Sequence, residues 1–570
     1  MQGHWPRRAF GAVLALLCGG CLQAAVYTVA QRDPQANDTG PGTAAQPWKT
    51  IARAARTAGP GDTVIIGDGV YRENVVVKAS GRPDAPIRFE PAPGAHVVLT
   101  GADQLTGWKR TGGERPIYTV PWPHRFIPWS KTMTHPDDEY HRLIGRCEQV
   151  AVDGYLLRQV LDPAQLAPGS FFADLTNQAL CVWDIGNRDL NKVFVEASTR
   201  QEILRVEGDC VWVRGLHFRF AANMAQHGAV VLAGSHDALE NCVIEDMNAS
   251  GATFAGQDMV VRRCIFRDNG QIGFGANGAH RLRFTGCLVE NNNTKGFDRG
   301  WEAGGDKLVL CRDAVLERSR FVRNRGNGIW FDIGNENCTV RQCLIADNED
   351  GGIFYEISFG LHAHDNVIVG NGFAATAGAW GAQAGITLSS SPDGVIERNL
   401  IVGNREGFDF REQTRSTPRI GHPASVPVWN HDETIRHNLI VFNRDAQVWG
   451  WFDMRDNRQW PAAETGKNQG EPATGLTLEK LRLRFAENDY FAAPGQGWFV
   501  WGVTWARHQR YATLAGFQSG LGVDTGSLAL DPGFADLTAR DFRLPAGMMA
   551  RLKDCYPQEP VPGVTLGQIP

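Results

Sequence analysis

The stretch ERSRFVRNRGNGIWFDIGNENCTVRQCLIADNEDGGIFYE, residues 317–356, contains two consecutive copies of one pattern. Each copy opens with a short apolar run that ends in Asn and closes on an acidic residue, Asp332 in the first and Glu356 in the second. Both acids lie 13 residues after an anchor position, which is Ser319 in the first copy and Cys343 in the second. Equal offsets in a structural repeat predict that the two carboxyl groups occupy equivalent places on neighbouring repeats.

The same pattern extends in both directions along the chain. Successive anchors are separated by 22, 23, 32, 24, 23, 33 and 39 residues, so a unit of about 23 residues carries occasional inserted loops. In seven of the eight copies an Asn follows the anchor by five residues. The anchors are Cys242, Cys264, Cys287, Ser319, Cys343, Asn366, Asn399 and Asn438.

Each copy is typical of short strands rather than helices. The apolar residues alternate over a few positions between Asn and Gly, and no sustained 3.6-residue period is present. The recurring Asn can bond to turn backbone and to its equivalents in the copies above and below. The sequence therefore predicts an all-β chain whose core is a right-handed parallel β-helix, in which each copy is one coil.

The β-helix pattern is interrupted once and bounded at both ends. We predict a signal peptide over 1–25, an N-terminal cap and first coils over 26–104, an inserted β-sandwich over 105–196, central coils over 197–460, and C-terminal coils with a closing segment over 461–570. The amphipathic run PWKTIARAARTA, from Pro47, predicts a capping helix over the open end of the solenoid. The run TLEKLRLRFAE, from Thr477, predicts a second short helix.

The N-terminus and the bulk composition place the chain among exported proteins. Arg7 and Arg8 precede an apolar segment, residues 9–17, that is too short to span a bilayer. An alternative interpretation is a lipoprotein signal in which Cys21 is acylated. The 57 basic and 62 acidic residues nearly cancel, and no basic run indicates nucleic-acid binding. We therefore expect a periplasmic or extracellular protein without a membrane span.

The cysteines favour a buried ladder over a metal site. Four of the 12 cysteines occupy repeat anchors, and no close CxxC pair suggests metal ligation. We predict unpaired thiols stacked inside the solenoid, with disulfides between neighbouring coils as the alternative in an oxidising compartment. No cofactor or metal is predicted.

The repeat offsets define one column of candidate site residues. Long insertions lie beside this column, which is where the walls of a cleft are expected. Glu302, in the expanded coil TKGFDRGWEAGGDK, is expected near the same level, with Trp301 beside it. The column contains Asn277, Asp332, Glu356, Ser389 and Arg411, with Glu412 beside Arg411.

Two carboxyl groups on adjacent strands suggest hydrolysis of a glycosidic bond. Adjacent strands lie ~4.8 Å apart, and carboxyl groups ~5 Å apart are typical of retaining glycoside hydrolases. Strand alternation sends Trp330 and Phe354 to the same side as Asp332 and Glu356. These rings could form a platform for a sugar and a low-dielectric wall that raises one carboxyl pKa. We assign Trp301, Trp330, Asn277, Arg411 and Glu412 to substrate binding.

The motifs WEAGGDK, GNGIWFDIGNENCTV and DGGIFYEIS, in this order and spacing, resemble those of the β-helix glycosidases of glycoside hydrolase family 120, which are β-xylosidases. The resemblance covers most of the mature chain and includes the inserted β-sandwich. It implies that Asp332 is the nucleophile, that Glu356 is the acid/base, and that Glu302 is a supporting carboxylate. The expected partner is an oligosaccharide or polysaccharide substrate.

Two other functions are compatible with the same residues. A polysaccharide lyase would use a basic group, such as Arg411, Arg299 or Lys295, and could hold Ca²⁺ on carboxylates. A non-catalytic carbohydrate-binding protein would use the solenoid only as a scaffold, because a fold does not by itself imply activity. An amide substitution at Asp332 or Glu356 separates this last alternative, since binding would survive it and hydrolysis would not.

Overall fold

The core of the molecule is a parallel β-helix built from three long sheets. A computed structural model describes residues 24–127, 145–375, 383–413, 415–452, 481–503, 507–559 and 561. The expected signal peptide and Cys21 therefore lie outside the described residues, apart from positions 24 and 25. Each coil contributes one short strand in turn to sheets I, II and III, and each sheet has 13 strands.

Sheets I and II form two of the three faces, and their strands pair in parallel from coil to coil. The strands of sheet I are Val26–Val29, Thr63–Ile66, Ile87–Pro91, Val211–Arg214, Ala238–Glu240, Val260–Arg262, Arg283–Thr285, Val315–Glu317, Thr339–Arg341, His362–His364, Val395–Glu397, Thr434–Arg436 and Arg484–Ala486. The strands of sheet II are Gly69–Tyr71, Val97–Thr100, His217–Arg219, Val243–Glu245, Ile265–Arg267, Leu288–Glu290, Arg320–Val322, Leu344–Ala346, Val367–Val369, Leu400–Val402, Leu439–Val441, Asp489–Phe491 and Leu528–Ala529.

Sheet III forms the third face and is parallel except at its last strand, which pairs antiparallel with the one before. Its strands are Val75–Val77, Leu204–Val206, Gly228–Leu232, Ser250–Phe254, Ile272–Asn277, Gly304–Val309, Ile329–Asp332, Ile353–Glu356, Ala384–Ser389, Glu406–Glu412, Ala446–Phe452, Phe499–Val503 and Arg507–Tyr511. A separate antiparallel hairpin, Arg415–Thr417 with Val426–Val428, follows one of the longest strands.

The predicted β-sandwich is confirmed between the first coils and the central ones. One sheet has four strands and the other five, and side chains from both sheets form a common core. The four-stranded sheet contains Ala102–Gln104, Val150–Val152, Tyr155–Leu156 and Val195–Ser198. The five-stranded sheet contains Lys109–Arg110, Ile117–Pro121, Arg158–Val160, Ser170–Asp174 and Ala179–Trp183.

The predicted capping helix is present as Ile51–Ala55, and it lies against Val75–Val77, the edge strand of sheet III. Its buried face joins the solenoid core, and Thr50 caps its N-terminus. The other helices are Arg299–Glu302, Leu514–Leu521 and Ala546–Leu552, with a 3₁₀ turn at Pro163–Gln165. No helix of the described part of the chain is long and apolar enough to cross a bilayer.

The second helix predicted from Thr477 is wrong where the structure describes it. Residues 453–480 lie outside the described part, and Arg484–Ala486 is a strand of sheet I. The apolar residues of LRLRF alternate, and Leu481, Leu483 and Phe485 all join the core. A period of two describes this segment better than the helical period that was inferred from it.

Buried ladders of Asn and Cys join the coils, as the repeat predicted. The amide nitrogen of Asn324 donates to Asn348 at 3.0 Å, and that of Asn348 donates to Asn371 at 2.8 Å. The anchor cysteines are buried free thiols, and the backbone N–H of Cys264 donates to the Cys287 sulfur at 3.4 Å. These ladders support the vertical register, because each amide bonds to its equivalent in the next coil.

Candidate active site

Asp332 and Glu356 end adjacent strands of sheet III in matching positions. Phe331 pairs with Tyr355, so the next residues of the two strands also face each other. Phe331 and Tyr355 point into the core, and alternation therefore turns both acids outward. Strand spacing puts the backbones of the two acids ~5 Å apart. Each acid is only 7% exposed, so the pair lies in a shielded place.

Lys307 holds Asp332 from the preceding strand. Its Nζ lies 3.0 Å from Asp332 Oδ2, 3.1 Å from the carbonyl oxygen of Trp301 and 4.0 Å from the ring centroid of Trp330. Burial, and then the nearby charge of Glu356, raise the pKa of Asp332, while Lys307 opposes that rise. An ammonium this close favours the carboxylate form that a nucleophile needs.

Arg415 pairs with Glu356 from the inserted hairpin. The hairpin is fixed at the far side of the coil, where the backbone N–H of Ile420 donates to Glu336 at 3.2 Å. Arg419 packs over the ring of Phe359 at 4.3 Å. The counter-cation of Glu356 thus comes from outside the repeat, in contrast to the counter-cation of Asp332.

Glu302 ends the helix Arg299–Glu302, just before the strand Gly304–Val309 of sheet III. Its Oε2 accepts a hydrogen bond from Gln226 at 2.7 Å, and its carbonyl oxygen accepts one from Gln271 at 2.7 Å. Burial raises the pKa of Glu302, whereas Lys307 lowers it. Lys307 therefore lowers the pKa of both Glu302 and Asp332. Through this shared cation, the expected supporting carboxylate is coupled electrostatically to the acid pair.

Two residues assigned to substrate binding lie elsewhere. Glu412 faces the interior of the solenoid, is fully buried, and accepts a hydrogen bond from the backbone N–H of Asn430 at 2.6 Å, so its side chain lies on the opposite side of the strand from the acid pair. Adjacent residues of a strand face opposite sides, and Glu412 follows the outward-facing Arg411. Asn277 is exposed, but Val309 separates it from Asp332 in the column, two strand spacings away.

Of the other assigned side chains, Trp330 borders the acid pair, Trp301 borders Glu302, and Arg411 lies further along the column. Trp330 and Phe354 face the same side as the acids, with ring centroids 5.5 Å apart. Trp330 is only 4% exposed, and Lys307 covers one of its faces, so the rings form a low-dielectric wall rather than an open platform. Arg411 lies two strand spacings beyond Glu356 and donates to Gln413 at 2.8 Å, and Trp301 is half-buried beside Glu302.

The sequence did not single out three of the charged and polar groups. Lys307 aligns with Trp330 in the strand register, so the repeat offset could have placed it in the site. Arg415 lies in an insertion that has no equivalent in other coils, and Gln226 precedes the regular repeat. For these two residues no positional signal was available.

One group of side chains among the described residues has metal-ligand spacing, away from the acid pair. Ligand atoms of Asp393, His431 and Asp432 lie within 4.8 Å of one another. Arg482, however, donates to both carboxylate oxygens of Asp432, at 2.5 and 2.6 Å. Both oxygens of Asp432 are therefore engaged in a salt bridge with Arg482.

Comparisons with known proteins agree with this architecture. Residues 228–383 match the family model described as the right handed beta helix region. The chain has a right-handed β-helix fold. A solved structure titled "The complex structure of XylC with xylose" superposes with a TM-score of 0.66 at 19% identity, covering 90% of this chain and 87% of that one.

Two further similarities are more limited. A structure titled "Glycoside hydrolase" gives a TM-score of 0.44 at 12% identity, covering 88% of this chain and 99% of that one. "Uncharacterized protein YwoF" of Bacillus subtilis (strain 168) is 38% identical over 68 residues, which are 12% of this chain and 14% of that protein. The resemblance inferred from the motifs is confirmed for the β-helix architecture.

Proposed function

We propose that this protein is an exported, retaining glycoside hydrolase that acts on oligosaccharides, with β-xylosides as the first substrates to test. The observation that carries the proposal is the outward pair of Asp332 and Glu356, one strand spacing apart. XylC, whose title names xylose, shares the fold, and the motifs around both acids resemble those of β-xylosidases.

The chemistry assigns one role to each carboxyl group. Asp332, ionised beside Lys307, attacks the anomeric carbon, while Glu356 gives its proton to the departing glycosidic oxygen. Glu356 then takes a proton from water, which attacks the same carbon and releases Asp332. The proton on Glu356 is restored in this second step, so the cycle consumes one water and one glycosidic bond.

Lys307 and Glu302 set the environment of the nucleophile. Since burial and Glu356 raise the pKa of Asp332, its ionised fraction depends on the ammonium 3.0 Å away. Glu302 also interacts with the charge of Lys307, and its carboxylate accepts a hydrogen bond from Gln226. Trp330 and Phe354 exclude water beside the pair, which strengthens every charge interaction there.

The proposal is tested with a panel of nitrophenyl glycosides that includes β-xyloside, α-fucoside and β-galactoside. We expect hydrolysis of at least one, with a loss of about 1000-fold or more in Asp332→Asn and in Glu356→Gln. Asp347→Asn, on an outer turn of sheet II, is the matched control. Proton NMR should show that the first-formed sugar keeps the anomeric configuration of the substrate.

Three outcomes would contradict this assignment. A product with inverted configuration would require more space between the carboxyl groups than one strand spacing provides. Appearance of an unsaturated uronide, seen by ultraviolet absorbance without hydrolysis of any nitrophenyl glycoside, would indicate a lyase instead. Binding of sugars that survives both amide substitutions, with no turnover in the wild type, would indicate a non-catalytic binding protein.

A further inference from the structure

Beyond Glu356 the outer face of sheet III continues as a polar strip. Glu356 pairs with Ser389, and Ser389 pairs with Arg411. In a second outward-facing column, two residues earlier on each strand, Thr387 pairs with Asp409. The residues that alternate with them face the core: Ile386, Leu388, Phe408 and Phe410. Strand alternation therefore turns the polar strip to the same side as the catalytic pair.

Three members of the strip are buried polar groups without partners. Thr387, Ser389 and Asp409 are each 0% exposed. Neither hydroxyl and neither oxygen of Asp409 has a hydrogen-bond partner within the described part of the chain. Leaving such a group unbonded costs about 1–3 kcal/mol, and a group of this kind in a native protein calls for a water, an ion or a ligand.

The three groups share one chemistry. Burial raises the pKa of Asp409 well above its ordinary value, which favours the uncharged carboxylic acid. An uncharged acid and two hydroxyls can each donate and accept a hydrogen bond, which is also what a sugar hydroxyl does. The cations nearby are engaged: Arg415 pairs with Glu356, and Arg411 donates to Gln413 at 2.8 Å.

The strip lies between larger side chains on both sides. Phe354 precedes Thr387 in the column, and Trp449 follows Asp409. Three strand spacings, ~14 Å, separate the strands that carry Phe354 and Trp449. The side chains between these rings are short, and Trp451 lies two residues after Trp449 on the same strand and on the same side.

We propose that Thr387, Ser389 and Asp409 form the subsite that binds an uncharged sugar as the leaving group. This inference rests on the proposed glycosidase function, because it places the sugar on the Glu356 side of the pair. The acid/base contacts the glycosidic oxygen, so the next position in the column, Ser389, lies under the sugar that departs. Asp332 and Glu356 are themselves only 7% exposed, so the strip and the catalytic pair are shielded to a similar degree.

The test compares two substrates that share one glycone. Xylobiose has a sugar as its leaving group, and nitrophenyl β-xyloside does not, so the ratio of their kcat/KM values reports on the subsite alone. We expect Thr387→Val and Asp409→Leu each to lower this ratio about 5- to 10-fold, the loss that one hydrogen bond typically gives. Asp409→Asn keeps the shape and the bonding capacity and should stay within about 3-fold of wild type.

The controls separate this subsite from a structural role and from the enzyme's activity. Thr339→Val makes the same change on an outward position of sheet I and should leave the ratio unchanged. A ratio within about twofold of wild type in both subsite variants, with hydrolysis still dependent on Asp332, overturns the subsite and leaves the glycosidase function intact. So does a loss of thermal stability without any change in the ratio, which would indicate a structural water.

The charge of the leaving sugar gives a further check. A xyloside whose leaving group is a uronic acid should be hydrolysed at least about 10-fold less efficiently than xylobiose, since the strip has no free cation to meet the carboxylate among the described residues. The opposite preference would overturn the proposal. If the wild type hydrolyses no glycoside at all, the proposed function fails, and the subsite fails with it.

Discussion

Replacing Lys307 by methionine removes the ammonium from Asp332 while keeping an apolar side chain of similar length. The two charges are 3.0 Å apart and both side chains are buried, Lys307 at 8% and Asp332 at 7% exposure. With an effective dielectric constant of ~20 the direct attraction is ~5 kcal/mol. Relaxation and residual solvent reduce this, and ~3 kcal/mol corresponds to about two pKa units.

The sign of the effect follows from the role of Asp332. Burial and Glu356 already raise the pKa of Asp332, and removal of Lys307 raises it further. A nucleophile must be ionised, so the acidic limb of the kcat/KM profile should move to higher pH by about two units. Below the new limb the variant should lose activity about 100-fold, and above it most of the activity should return.

The assay is kcat/KM on a hydrolysed nitrophenyl glycoside from about pH 4 to about pH 10. Lys109→Met, on an exposed strand of the β-sandwich, is the matched control and should leave the profile unchanged. An unshifted acidic limb would show that Lys307 does not act on the nucleophile. If the basic limb moves to higher pH instead, Asp332 would be the proton donor, and the roles of Asp332 and Glu356 would be reversed.

Two further predictions concern stability. Burial raises the pKa of Asp237 to about 8, so its uncharged form is favoured by folding, and its contribution is present below about pH 4 and lost as pH rises to about 8. Asp237→Asn should therefore raise the free energy of unfolding on the order of 3 kcal/mol near pH 8, with the two thermal midpoints converging near pH 4; a difference independent of pH would contradict this. Asn348→Ala breaks the ladder between Asn324 and Asn371 and should cost about 3 kcal/mol, seen as a lower thermal midpoint. The exposed Asn291→Ala is its control, and an equal effect in both variants would mean that the ladder adds nothing.

The solenoid could be predicted because its repeat is simple and strict. An Asn five residues after the anchor returns in coil after coil, and its amide bonds directly to the next one, as Asn348 does to Asn371. The same regularity places Asp332 beside Glu356, because residues with the same offset in neighbouring coils occupy equivalent positions on adjacent strands. Local propensity and long-range pairing agree throughout this region, which is when inference from sequence succeeds.

The rest of the site could not be read from the repeat. Arg415 reaches Glu356 from a hairpin that no other coil has, and no offset predicts its position. Glu412 was misplaced because neighbouring residues of a strand face opposite sides, and one step turned it into the core. The helix inferred from Thr477 failed for a related reason, since few apolar residues fit a period of two and a helical period equally well.

The origins of the two cations agree with the roles given to the two acids. Lys307 belongs to a strand of sheet III whose backbone pairs on both sides, so the point from which its side chain reaches Asp332 is fixed. Arg415 belongs to a hairpin whose strands pair only with each other, so a displacement of Arg415 from Glu356 would break no pairing between coils. A nucleophile needs a constant counter-charge, because it must be ionised each time a substrate arrives. An acid/base must be protonated in one step and ionised in the next, which suits a counter-charge that can withdraw when the leaving group binds.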